Sequence, residues 1–213
     1  MKPKVYIETS VISYLTARPS SDLRAMANQN ATVEWWETQR SKYDLVISEF
    51  VIAEAGLGHP EAAKRRLTAI DNVMELQATE EVRALGKALI NLGALPAKAE
   101  VDAYHVAVAA VNGVEYLLTW NCTHIANAHT RPKIEAACRS LGYEPPIICR
   151  SSLIAAGKWR RDAVGDAGAV VRCRNSVCSS VFSSSICLSS NSLMTSRRPG
   201  TELATPESLL PFF

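Results

Sequence analysis

The sequence predicts an α/β protein: a three-layer fold whose central, mostly parallel five-stranded sheet is flanked by helices. Two observations predict it. Short β-branched runs alternate along the chain with amphipathic stretches of helical period, and the connections between them are short. Parallel strands need crossovers, and crossover helices cover both faces of a sheet.

Each element follows in order. The first strand is residues 5–8, at the head of "VYIETSVISYL", and it ends on a carboxylate, Glu8, followed by Thr9 and Ser10. A helix over 22–42 is expected with Ser21 as its cap, since Leu23, Met26, Val33, Trp36 and Tyr43 recur at helical spacing. "DLVIS" is a second, buried strand; "EFVIAEAGLG" is a helical turn or two stopped by glycines; Pro60 opens "PEAAKRRLTAI" as another helix.

"VMELQ" reads as a short third strand. Thr79, with Glu80 and Glu81, opens a helix that Gly93 closes, as the helix dipole and a left-handed cap favour. Residues 97–112 form a strongly apolar helix stopped by Gly113. "EYLLTW" is the fourth strand, 132–141 a helix capped by Gly142, and "PIICR" the fifth strand.

Composition narrows the function. The chain has 213 residues, 47% hydrophobic and 21% charged, with a formal net charge of +2. That is a globular balance, not the field of a strongly basic nucleic-acid binder, so any RNA contact must use local patches. The start of the sequence lacks a basic–apolar–small-residue signal, and no charge-free apolar run is long enough for a bilayer. The expectation is a cytoplasmic protein with no membrane association. Six cysteines without a C-x-x-C pair read as reduced thiols, several of them buried.

Residues 1–150 carry 16 basic and 17 acidic side chains, against 7 and 4 in 151–213. The stretch "SVCSSVFSSSICLSSNSLMTS" (176–196) has no charge and is nearly half serine. The boundary is therefore placed near Arg150. Residues 1–150 are expected to form the folded domain, and 151–213 a Ser-rich extension, disordered or non-native, that does not continue the α/β pattern.

In open parallel sheets, sites form beyond the carboxyl ends of the strands. Glu8 falls there, and Asn121 lies just past the fourth strand. Glu54 follows the second strand, and Asp102 sits in the first turns of an apolar helix. A carboxylate among such neighbours is costly to bury alone; a helix N-terminus offsets part of that cost and a cation more. Oxygen ligands suit Mg²⁺ or Mn²⁺, which can activate water against a phosphodiester.

Plainer roles exist for each residue. Glu8 can cap the following helix, Glu54 can be a solvated helix residue, and Asn121 a turn residue. His105 shares a face with Asp102 and reads as a structural histidine bonded to backbone or to Asp102. Thr9, Ser10 and Thr119 are candidates to touch a metal water or phosphate, with helix capping as their ordinary role. The "CTHIANAH" loop lacks the spacing of a structural zinc site. "KRR" (64–66) and Arg131 with Lys133 are solvated faces or phosphate-tracking patches, and Trp35 and Trp36 core or dimer contacts.

The order "YIETSVISYL", "SEFVIAEAG", "DAYHVAVAAVNGVEYLLTWNCTHIAN" resembles the PIN-domain ribonucleases, especially the VapC-like toxins of bacterial toxin–antitoxin modules, over roughly residues 4–149. The resemblance implies a PIN-like fold, an acidic pocket binding Mg²⁺ or Mn²⁺, RNA cleavage, a homodimer and an inhibiting antitoxin. By position, Glu8 stands for the first-strand acid, Glu54 for the helix acid, Asp102 for the acid of the D-x-x-H helix and Asn121 for the fourth polar ligand. The first position is commonly aspartate, and glutamate is one methylene longer. The fourth is often aspartate, and asparagine there leaves a site charge of about −3, weakening a second metal. Two other classes compete: a non-catalytic PIN-like module binding RNA or protein, and a nucleotide-binding domain. "ETSVIS" lacks both G-x-G-x-x-G and a P-loop lysine, which ranks the latter last.

Overall fold

The computed structural model describes residues 1–150 and two short segments, 159–160 and 172–173. The predicted boundary near Arg150 and the Ser-rich extension lie outside the described residues, apart from a two-residue antiparallel pairing of Trp159–Arg160 with Arg172–Cys173.

Five strands form one sheet: β1 (Lys4–Ile7), β2 (Asp44–Ser48), β3 (Met74–Leu76), β4 (Tyr116–Leu118) and β5 (Ile147–Cys149). Their order is β3-β2-β1-β4-β5, and every pair is parallel. The chain moves outward from β1 through β2 to β3, then returns to the other side of β1 for β4 and β5. The switch point therefore lies between β1 and β4, where a parallel sheet opens a crevice beyond its carboxyl ends.

Among the described residues, seven helices supply the crossovers: α1 (Thr9–Thr16), α2 (Leu23–Thr38), α3 (Glu49–Ala55), α4 (Pro60–Ile70), α5 (Glu80–Asn91), α6 (Glu100–Val111) and α7 (Arg131–Ser140). The expected boundaries of two helices shift. The cap of α2 is Asp22, not Ser21: its carboxylate accepts from Ala25 N at 2.8 Å, and its charge also complements the helix dipole. The helix then stops at Thr38, and Arg40–Lys42 tightens into a 3₁₀ turn before β2. Likewise Ala97–Ala99 is a 3₁₀ turn, so α6 begins at Glu100 and Asp102 stands in its first turn.

Central β1 is buried on both faces, with Val5, Tyr6 and Ile7 fully enclosed. Against the sheet lies α6, whose Ala103, Val106, Ala107, Val108 and Ala109 are fully buried; small side chains let the backbone come close. Helix α5 approaches α6 through Gly86, over which the Tyr104 ring lies. Tyr104 in turn stacks on Phe50, centroids 4.9 Å apart. At the far end of α6, Gly113 takes a positive φ of 59° and turns the chain into β4.

Trp35 belongs to the core, while Trp36 is half-buried under the Arg40 guanidinium. The "KRR" run holds the fold together: Arg65 Nε donates to Thr16 O, and Arg66 donates to Ala55 O and Leu57 O. Those two arginines clip α4 to the ends of α1 and α3. Cys138 and Cys149 are buried free thiols, and burial pushes Cys138 up to about 11, so it stays protonated and inert. Among the described residues no helix is long and apolar enough to cross a membrane.

Candidate active site

Glu8 is the first residue beyond β1 and the N-cap of α1. Its Oε1 accepts from Ser10 N at 3.0 Å, and its Oε2 from Thr119 Oγ1 at 2.6 Å and from Ser10 Oγ. Only 5% of the residue is exposed. Capping and burial at the crevice thus fall on one carboxylate. The flanking hydroxyls do not cap helices, as their ordinary role would have them do; they donate to the neighbouring acids. Ser10 Oγ also accepts from Trp120 N, and Thr119 Oγ1 from Asn121 N, both at 2.8 Å, which binds the end of β4 to the start of α1.

Glu54 arrives from the last turn of α3 with its side chain 33% exposed. Its Oε2 accepts from Thr9 Oγ1 at 2.5 Å and from His105 Nε2 at 3.0 Å. A carboxylate can only accept, so Nε2 carries the hydrogen. The opposite nitrogen, Nδ1, lies 2.8 Å from Tyr6 Oη, itself 2.6 Å from Ser48 Oγ. With a neutral ring the relay is determined: Ser48 donates to Tyr6, Tyr6 to His105, and His105 to Glu54. Burial pushes Glu54 upward, but its interaction with His105 and the Thr9 hydrogen bond outweigh it and leave its pKa below the ordinary value. Burial, joined by the Glu8 and Glu54 charges, raises Tyr6 far above an ordinary phenol despite its bond to Ser48, so it stays neutral.

Glu8, Glu54 and His105 each offer an atom within 4.8 Å of the other two. Residues 46 and 97 positions after Glu8 in the chain are thereby brought to one spot above the switch point. His105 was expected to bond to backbone or to Asp102; its partners are instead Tyr6 and Glu54.

Asp102 lies outside that compact trio. Its Oδ1 accepts from Asn121 Nδ2 at 2.9 Å, and its Oδ2 lies 2.8 Å from His124 Nδ1. Asn121 Oδ1 accepts in turn from His124 N at 3.0 Å. The four expected residues therefore fall into two groups: Glu8 and Glu54, close together but each held by its own donors, and Asp102, hydrogen-bonded to Asn121. They are joined through Thr119, which donates to Glu8 and accepts from Asn121 N, and through α6, which carries both Asp102 and His105.

Sequence reasoning missed Tyr6, Ser48 and His124. The available signals were a lone tyrosine in an otherwise aliphatic strand, and a histidine three residues past Asn121 in the loop that leaves the fourth strand. The zinc reading of that loop finds no support: Cys122 is exposed, and His124 is spent on Asp102.

No family model matches the sequence, and no curated protein matches it. The chain resembles VapC toxins in structure. One such structure is VapBC2 from Rickettsia felis, bound to a DNA fragment from its promoter; it is 13% identical, with a TM-score of 0.46 over 69% of this chain and 98% of that one. Another is VapC20 of Mycobacterium tuberculosis, a toxin that cleaves the sarcin–ricin loop; it is 16% identical, with a TM-score of 0.43 over 58% of this chain and 95% of that one. Both likenesses are distant, and what the site can do follows from its own geometry.

The donor set fits a hard divalent cation. Two carboxylates and three hydroxyls meet at the crevice, with a third carboxylate and its bonded amide beside them and no thiolate among them, and clustered carboxylates repel unless a cation is shared. His105 Nε2 already donates to Glu54, so the ring orients that carboxylate.

Proposed function

We propose that the protein is a divalent-metal-dependent endoribonuclease that hydrolyses RNA phosphodiester bonds, using Mg²⁺ or Mn²⁺. In this reading it acts in the cytoplasm as the toxin of a toxin–antitoxin pair, works as a homodimer and is held in check by a small antitoxin protein. The observation that carries the enzymatic part is the meeting of Glu8 and Glu54, from the ends of β1 and α3, beside buried His105. The order of the sequence motifs supports the toxin part.

Glu8, Glu54 and Asp102 would hold the ion, and Asn121 would support them. When bound, such an ion activates water and neutralises charge developing on the phosphodiester. The protein's own part is preorganisation. Thr9 and His105 fix Glu54 in its charged form, and Ser10 and Thr119 fix the rotamer of Glu8.

The test is RNA cleavage by the purified full chain with Mg²⁺, with Mn²⁺ and with chelator. Cleavage is expected only with an ion, and Asp102→Asn or Glu54→Gln should lower it by about 100-fold or more, beyond the cost of losing a supporting residue. Unchanged cleavage by a folded Asp102→Asn protein removes the mechanism.

One observation favours a second reading, a non-catalytic PIN-like module that binds RNA or protein. Three donors already satisfy Glu8, and both side-chain groups of Asn121 are used internally. Such a module would retain a fluorescent RNA in the presence of metal without cutting it.

A further inference from the structure

His124 is held at three points. Its N–H donates to Asn121 Oδ1 at 3.0 Å, its carbonyl accepts from Thr130 Oγ1, and its Nδ1 meets Asp102 Oδ2 at 2.8 Å. With the backbone fixed on both sides, the ring is aimed at α6. Its side chain is 20% exposed and that of Asp102 16%, so the contact is shielded from most solvent. Because the carboxylate accepts, Nδ1 carries the hydrogen. The Asn121 amide occupies the other oxygen of Asp102, and together the two donors leave the carboxylate no free rotation.

We propose that His124 is the positioning residue for Asp102: its Nδ1–H sets the carboxylate in the orientation that cation binding requires. The inference rests on the metal-dependent reading above, and it assigns a role to a loop residue that the four expected ligands leave out. It needs no change in protonation. Groups that orient metal ligands through hydrogen bonds typically control affinity by 10–100-fold, and His124 makes such a bond with a fixed backbone behind it.

Two substitutions separate the hydrogen bond from the ring's bulk. His124→Asn places an amide N–H near the position of Nδ1 and loses the ring; His124→Phe keeps a ring and loses the donor. Mn²⁺ affinity of the full-length chain, read from the free-ion electron paramagnetic resonance signal, is the measurement, with RNA cleavage and the thermal midpoint recorded beside it. The expected result is Mn²⁺ binding weakened about 10-fold or more in His124→Phe and largely retained in His124→Asn. Wild-type affinity in His124→Phe overturns the proposal, and so does equal loss in both variants, since a donor at this position would then not restore binding. If the wild-type chain itself binds no Mn²⁺, the metal-dependent reading falls and this inference falls with it. A wild type that binds while both variants match it sinks only the role of His124.

Discussion

His105 Nε2 lies 3.0 Å from Glu54 Oε2 and ends a buried relay that starts at Ser48 and passes through Tyr6. Three elements, β1, β2 and α6, are fastened to the α3 carboxylate by hydrogen bonds without a water between them. Tyr6 is the middle link. Tyr6→Phe leaves both Ser48 and His105 without their partner in a fully buried place, and should cost about 1–3 kcal/mol in urea unfolding. Ser48→Ala removes only the outer donor and should cost less, about 1 kcal/mol. Equal costs would show that the relay is not continuous.

Glu54 has a pKa below its ordinary value of 4.5 in the folded protein. A depressed carboxylate adds stability above its unfolded pKa, and that stability is lost as pH falls through the folded value. The unfolding midpoint of the wild type should therefore drop as pH falls through and below 4.5. Glu54→Gln should flatten that part of the profile; its being one-third exposed keeps the effect modest. A Glu54→Gln profile parallel to the wild type would refute the assignment.

Asn121→Asp replaces the amide that donates to Asp102 with a second negative charge. Without divalent ions the variant should lose about 1–3 kcal/mol, from the broken bond and the new repulsion. Mn²⁺ should restore more stability to the variant than it adds to the wild type, because the cation then answers a larger local charge. Thermal melts with and without Mn²⁺ measure the difference.

Gly86→Ala would put a Cβ 2.3 Å from Tyr104 Cδ1. The ring cannot swing aside freely, since it stacks on Phe50 and its hydroxyl donates to Glu100 at 2.7 Å. The expected loss is about 1–3 kcal/mol, as for overpacked cores. Adding Tyr104→Ala in the same chain should remove most of the further penalty, and denaturant unfolding of the single and double variants checks it.

The local grammar of the chain was readable in the sequence. The alternating runs located all five strands of the sheet to within two residues at each end, and Gly93, Gly113 and Gly142 marked helix stops that take positive φ. These signals are carried by neighbouring residues, so no tertiary knowledge is needed. The acids were legible as positions beyond strands, but their bonding was not. Whether Asp102 meets Glu54 or His124 depends on which strands adjoin β1, and that order, β3-β2-β1-β4-β5, leaves no trace in periodicity. Ser21 and Asp22 are adjacent and both cap well, so only the geometry of the first turn decides between them.

Glu8 both caps α1 and faces the crevice. A mutation at this position is consequently tried twice, once by the folding of the first turn and once by whatever chemistry the crevice performs. Shortening it to aspartate would retract the charge from the far wall while keeping a good cap, whereas glutamine would preserve reach and weaken the cap. The two exchanges therefore fail in opposite ways, and comparing them tells a lost helix start from a lost reaction.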